Sequence, residues 1–233
     1  MLRYNLFVNK TVLTLLILST LFVASAFLGG DPSSGRGFYY IVWLTVCAVI
    51  VKKQDELSVL LRKSPFGEFA TFVGLGLLMI VIEETFAGIA VNMFGVPTFT
   101  ALLASIPQFY ANNLLLLPGF IIAWYILLKR YSYSRKEVLF LVGLFGLFAE
   151  KIYLHVLTLP ILGIPLILPT MFTYMGIIFP SLLSLQKGGG IKLPIFPRYV
   201  IGFLFPILVS LPFLLVHALL TKAGLVDPTV LTK

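Results

Sequence analysis

The chain alternates between long apolar stretches and short polar ones. Crossing a bilayer takes about 20 residues, with latitude for tilt. Seven stretches qualify: 11–29, 37–53, 67–95, 97–128, 137–158, 164–186 and 199–221. Apolar residues run continuously within them, whereas a spanning barrel strand would alternate. In lipid each span must also satisfy its own backbone, so helix is the predicted element. The expected fold is all-α, a polytopic transmembrane helical bundle of about seven spans. It forms a single integral membrane domain over 1–233.

Local signals set the ends and the breaks. Ser134-Arg135-Lys136-Glu137 has the order of a capping box opening the fifth span. Gly188-Gly189-Gly190 gives a flexible loop before the last span. Pro160, Pro165 and Pro169 predict a broken or re-entrant start to the sixth. The fourth stretch holds Pro107 and Pro118 and is too long for one straight crossing. A kink or a half-helix at the outer surface is expected there. The first stretch follows Arg3 and Lys10 and contains Ala24-Ser25-Ala26, the layout of a cleavable secretory signal. Its apolar run continues to Leu28, which favours an uncleaved first helix.

Composition narrows the class. Hydrophobic residues make up 59% and charged residues 11%, and mean hydropathy is +1.04. A water-soluble domain carries about 25% charged residues. A soluble enzyme, a disordered chain and a free-standing nucleic-acid binder are therefore excluded. The net charge of +8 is a matter of topology. Loops on the N-terminal side hold Arg3, Lys10, Lys52, Lys53, Arg62, Lys63, Lys129, Arg130, Arg135, Lys136, Lys187, Lys192 and Arg198. The other side holds Arg36, Lys222 and Lys233, and Lys151 falls inside a span. By the positive-inside rule the N-terminus is cytoplasmic and the C-terminus outside, in a multi-pass protein of the cell membrane. Membrane lipid is the expected partner, and nucleic acid is not, because no long basic run exists. Cys47 is the sole cysteine, so an internal disulfide or a cysteine metal site cannot form.

Chemistry enters where polar residues interrupt the spans. Glu83, Glu84, Glu150, Lys151, His155 and His217 lie in apolar stretches, together with Asn92, Gln108, Asn112 and Asn113. A charge at the bilayer centre costs about 2.5–3.5 kcal/mol even on the gentle insertion scale, so these groups should face the bundle interior. At 1.5 Å per residue, Glu83 lies about 21 Å, Glu150 about 18 Å and Asn113 about 22 Å from the N-terminal side. His155 and His217 come out near roughly 26 and 27 Å. Four helices thus bring polar groups to one layer.

Adjacent carboxylates such as Glu83 and Glu84 resist joint ionisation. One suits a general base and the other a neutral hydrogen-bonding partner. Asn112 and Asn113 offer uncharged donors of the kind an oxyanion needs. Gln108 with Asn112, and Lys151 with His155, are four apart and share helix faces. Lys151 could neutralise a third-span carboxylate, or serve only to make its partner insertable. The histidines fit wet helix ends, and the asparagines could equally be interhelical glue. No His-x3-His, His-Glu-x2-His or cysteine pair is present, so no metal or other cofactor is expected, although two Glu plus a His could in principle hold a metal.

Ile82-Glu83-Glu84-Thr85-Phe86-Ala87-Gly88 resembles the first motif, E-E-x-x-x-R, of the CPBP (CAAX-protease and bacteriocin-processing) intramembrane proteases. Phe109-Tyr110-Ala111-Asn112-Asn113 resembles their second, F-x-x-x-H, and Phe148-Ala149-Glu150-Lys151 falls near the third, H-x-x-x-N. The similar portion is about 66–156. Gly88 stands where the motif has arginine, Asn113 and Glu150 where it has histidines, and Leu154 where it has asparagine. The resemblance implies a peptidase acting on a membrane-associated peptide or membrane-protein substrate. It makes Glu83 or Glu84 the base that activates water, Asn113 the donor to water or oxyanion, and Glu150 a substituted third-motif residue. Catalytic candidates are therefore Glu83, Glu84, Asn113 and Glu150. Binding candidates are Asn112, Lys151, His155 and His217. A non-catalytic scaffold of the same fold, binding a partner helix or lipid, and a proton-coupled transporter using the buried acids are the alternatives.

Overall fold

A computed structural model describes residues 14, 17–21, 35–95, 99–158, 160–185 and 190–227. The expected first span apart from 14 and 17–21, the Asn92 side chain and the Gly188-Gly189 pair fall outside the described residues. The helices are α1 (Gly35–Lys52), α2 (Gln54–Leu61), α3 (Glu68–Gly95), α4 (Phe99–Leu116), α5 (Pro118–Arg130), α6 (Arg135–Ala149), α7 (Ile152–Thr158), α8 (Pro160–Ser184) and α9 (Ile195–Lys222). Among the described residues no strand forms beyond one isolated bridge, Tyr131 to Ile191. The protein is all-α.

Among the described residues, seven spans do not emerge. Four helical stretches among those residues are long and apolar enough to cross a membrane: Glu68–Ala90, Tyr110–Arg130, Ile164–Ser184 and Ile195–Lys222. The pair α6 and α7, bent by 66°, makes a fifth if it is one broken span. Segment 37–53 forms α1, whose apolar part Phe38–Lys52 is a shorter helix. Such a set is compatible with a multi-pass membrane protein.

The breaks are also redistributed. Segment 97–128 divides at Leu117, where Pro118 opens α5. Backbone bonds run through the junction, from Leu117 N to Asn113 O and from Ile121 N to Leu117 O. Pro160, in contrast, opens α8, and Pro165 and Pro169 lie inside that one continuous helix. Packed neighbours and local adjustment make proline tolerable in such a helix, and α8 is the most enclosed, with 67% of its apolar window buried. The break expected there lies between α6 and α7 instead. Lys151 adopts φ +54° at that point, a left-handed conformation that is uncommon for a residue with a side chain.

The core forms around α8. Trp43 and Leu44 of α1, Phe72 and Ile80 of α3, Ile121 and Trp124 of α5, and Val138 and Val142 of α6 are fully buried. Glycines let the helices approach, as is usual where lipid offers no hydrophobic drive to associate. A Cβ on Gly143 would meet Met171 and Met175 of α8, and one on Gly176 would meet the Cys47 thiol and Trp43. Cys47 is accordingly a buried packing residue.

Helix α9 is peripheral, with 17% of its window buried, and its buried Gly202, Pro206 and Ser210 recur at four-residue spacing. A Cβ on Gly119 of α5 would sit 2.7 Å from the Ser210 Cα and 2.9 Å from the Val209 carbonyl oxygen. Backbone cannot swing aside. Gly119→Ala is therefore expected to cost about 1–3 kcal/mol by forcing α9 away, read as a lowered unfolding midpoint in detergent. Gly74→Ala, with open space around it, serves as the unaffected comparison.

A polar latch closes one end of the bundle. The expected capping box forms: Ser134 Oγ accepts from Glu137 N at 3.2 Å, and Glu137 Oε2 accepts from Ser134 N at 2.8 Å. The other Glu137 oxygen meets Arg198 Nη2 at 2.6 Å. Tyr133 OH donates to the Arg198 carbonyl at 2.7 Å. Burial pushes the Tyr133 phenol up to about 12, despite the opposing pull of Arg198, so it stays a neutral donor. Ser132 N and Ile191 O complete the join at 3.0 Å.

Candidate functional site

Glu83 and Glu84 sit more than halfway along α3, only 7% and 6% exposed. Successive helical positions are about 100° apart, but the two carboxyls stay within reach of each other while each also meets a different neighbour. Glu83 turns to α1, where Tyr39 OH donates to its Oε1. Glu84 interacts with the side chains of Glu83 and of Asn113 on α4. Thr85 Oγ1 and Tyr110 OH, 2.7 Å apart, fasten α4 beside α3 one position further on.

Glu150 approaches from the third side. It is the C-cap of α6 and is exposed. Tyr174 OH on α8 donates to its Oε1 at 2.8 Å. Glu150 lies within electrostatic range of both Glu83 and Glu84, and so does Tyr174. The catalytic candidates Glu83, Glu84, Asn113 and Glu150 are thus brought into one polar layer, lined by α1, α3, α4, α6 and α8. Tyr40 OH and Thr170 Oγ1, 3.4 Å apart, border it.

The binding candidates go elsewhere. Lys151 and His155 are exposed. Lys151 makes no ion pair among the described residues, so the expected neutralisation of a third-span carboxylate is not found. The reason is the helix break. Sharing a face at i and i+4 requires a continuous helix, and Lys151 precedes the start of α7 in a left-handed turn.

Asn112 is fully buried but points away from the acids. Its Nδ2 donates to Gln108 O at 2.9 Å and to Asp227 O at 3.0 Å. Its Oδ1 lies 2.8 Å from His217 Nε2. With both amide hydrogens given to carbonyls, Oδ1 must be the acceptor and His217 Nε2 carries the proton. Asp227 N donates back to Gln108 Oε1 at 3.0 Å. Asn112 and His217 therefore form a structural clasp around the residues following α9, separate from the acidic layer.

Tyrosine is what sequence reading overlooked. Tyr39 and Tyr174 each hold a carboxyl of the layer. The available signal was a phenol inside an apolar run, since a buried tyrosine hydroxyl normally needs a partner.

The layer contains carboxyls, phenols and an amide, with no ion-paired Lys or Arg among the described residues. It suits proton exchange and hydrogen-bond donation to a polarised oxygen. No group of three His, Cys, Asp or Glu is arranged to hold a metal among those residues. A cavity of about 200 Å³ bordered by Arg62, Ser64, Phe66, Thr71 and Ser184 lies at the start of α3, away from Glu83 and Glu84. Comparison with protein-family models, curated proteins and solved structures finds no match to this chain.

Proposed function

We propose that the chain is an intramembrane, glutamate-dependent peptidase of the CPBP type, acting on a membrane-associated peptide at the Glu84 carboxyl. The observation that carries this reading is the division of labour between the paired acids. Glu83 is tied to Tyr39, while buried Glu84 faces Asn113. A general base and an amide donor side by side are what hydrolysis of a carbonyl requires. Glu84 takes a proton from water as the water oxygen bonds to the peptide carbonyl carbon. The Asn113 amide donates to the oxyanion. The same proton then passes from Glu84 to the departing amine as the C–N bond breaks. Glu83 stays a hydrogen-bonding neighbour. The proposed setting is the cell membrane, with the N-terminus cytoplasmic.

A second reading is a non-catalytic scaffold binding a partner helix or lipid. Its support is that the phenols of Tyr39 and Tyr174 already join carboxyls on one helix to another, which is how polar groups glue membrane helices. Mass spectrometry separates the two. Single-span peptides are incubated with the reconstituted protein in water labelled with heavy oxygen. A peptidase leaves one heavy oxygen in each new carboxyl terminus. Intact peptides across a broad panel would favour the scaffold.

A further inference from the structure

We propose that the cavity at the start of α3 binds the phosphate of an anionic glycerophospholipid, with Arg62 and Ser64 as its donors. The cavity has a volume of about 200 Å³ and is bordered by Arg62, Ser64, Phe66, Glu68, Thr71 and Ser184. Its place in the fold fixes its depth. Glu68 begins one stretch able to cross a membrane, and Ser184 ends another. Lys129, whose Nζ lies 3.0 Å from Glu68 Oε1, precedes Arg130, the end of a third. With those stretches in a bilayer, the cavity falls where the hydrocarbon core meets the headgroups. Phospholipid phosphates lie in that interfacial layer.

Charge and hydrogen bonding select the ligand. Among the residues bordering the cavity Glu68 alone is acidic, and its Oε1 accepts from both Lys129 Nζ and Tyr125 OH, at 3.0 and 3.3 Å. Arg62 is exposed and makes no ion pair among the described residues. With Glu68 matched by Lys129, Arg62 leaves the site one positive charge, the complement of a phosphodiester monoanion. Its planar fork of donors suits two phosphate oxygens at once. Ser64 supplies a further donor. Its Oγ accepts from Phe66 N at 3.3 Å. Thr71 shares its hydrogen between Ser64 Oγ and the Phe66 carbonyl, at 3.0 and 3.2 Å. The Ser64 hydroxyl therefore keeps its own hydrogen to give.

Apolar exposure makes the source of that phosphate a lipid. Phe66 borders the cavity and is 72% exposed. Leu60 and Phe69, a few positions away in the chain, are exposed as well. Apolar side chains at this level rest on the boundary between headgroups and acyl chains, from which a soluble phosphate gains nothing. The headgroup is anionic because a choline would bring its ammonium beside Arg62 and the exposed Lys63, while the carboxylate at the rim is already paired with Lys129. Basic residues at a membrane surface favour anionic lipid in the same way. The site stands apart from Glu83 and Glu84 and holds whether or not that layer cleaves peptides.

Native mass spectrometry of the full chain in detergent, titrated with phosphatidylglycerol or with phosphatidylcholine of the same acyl chains, tests the proposal. The first phosphatidylglycerol is expected to bind about tenfold more tightly than the first phosphatidylcholine, the worth of one charge-assisted hydrogen bond. Arg62→Ala removes that preference, and Ser64→Ala reduces it by less. Lys136→Ala deletes an exposed positive charge that does not border the cavity, and keeps the preference. Arg62 and Lys136 are both exposed, so both variants retain the fold, which matched unfolding midpoints check. A wild-type chain that binds the two lipids equally overturns the proposal, as does a preference that survives Arg62→Ala. Equal loss in Lys136→Ala overturns it too, because general surface charge would then account for the binding. Inorganic phosphate at the concentration of the lipid is expected to leave phosphatidylglycerol bound. Displacement at that concentration assigns the cavity to a soluble anion and overturns the lipid.

Discussion

Glu137→Ala is expected to be the most destabilising single change at the polar latch, lowering stability by about 3–5 kcal/mol, the usual cost of stranding one member of a buried ion pair. The Glu137 and Arg198 side chains are only 16% and 12% exposed. Arg198 sits at the start of α9, so losing its counterion strands a guanidinium between two helices. The same substitution removes the carboxylate that accepts from Ser134 N, and a lost cap adds about 1 kcal/mol. Glu137→Gln separates the two effects. Glutamine still closes a capping box but leaves Arg198 without a counter-charge, so its midpoint should fall between wild type and alanine. Denaturant titration in mixed micelles, followed by tryptophan fluorescence, gives the order. Equal midpoints for all three would show the latch to be solvated and weak.

Glu84→Gln is expected to reduce peptide hydrolysis by about 10²–10⁴-fold, the range for loss of a positioned general base, with no loss of folded protein. Glutamine keeps the size of the side chain and its hydrogen bonds to Glu83 and Asn113 but cannot accept and return a proton. Glu83→Gln should be milder, because a neutral amide still accepts from Tyr39. Rates measured beside unfolding midpoints decide the matter. A Glu84→Gln protein that cleaves at the wild-type rate would remove Glu84 from the mechanism. A larger loss at Glu83 than at Glu84 would exchange their roles.

The helical fold was legible because lipid leaves the backbone so few choices. Continuous apolar runs and the capping residues Ser134 and Glu137 were read from local order alone. Span count and breaks were less legible, since length measures reach and not direction. Prolines marked α8 as the place to break, yet, enclosed by α3, α6 and α1, it runs as one continuous helix. The chain turns at Glu150-Lys151, where no proline stands. In the candidate site, depth along each helix grouped Glu83, Glu84, Asn113 and Glu150. Azimuth, which sequence spacing gives only within one helix, separates adjacent asparagines. Asn113 faces Glu84, while Asn112 faces His217 and Asp227. Tyr39 and Tyr174 were counted as apolar bulk, because a phenol's role depends on which helix lies opposite it.

The clasp at Asn112 also bears on biosynthesis. Its side-chain amide is fully enclosed, yet one of its two donors is answered only by the Asp227 carbonyl, 115 residues downstream. During translation that hydrogen gains this acceptor only once residue 227 has been made. The nascent chain therefore closes this amide only after α9 has been added.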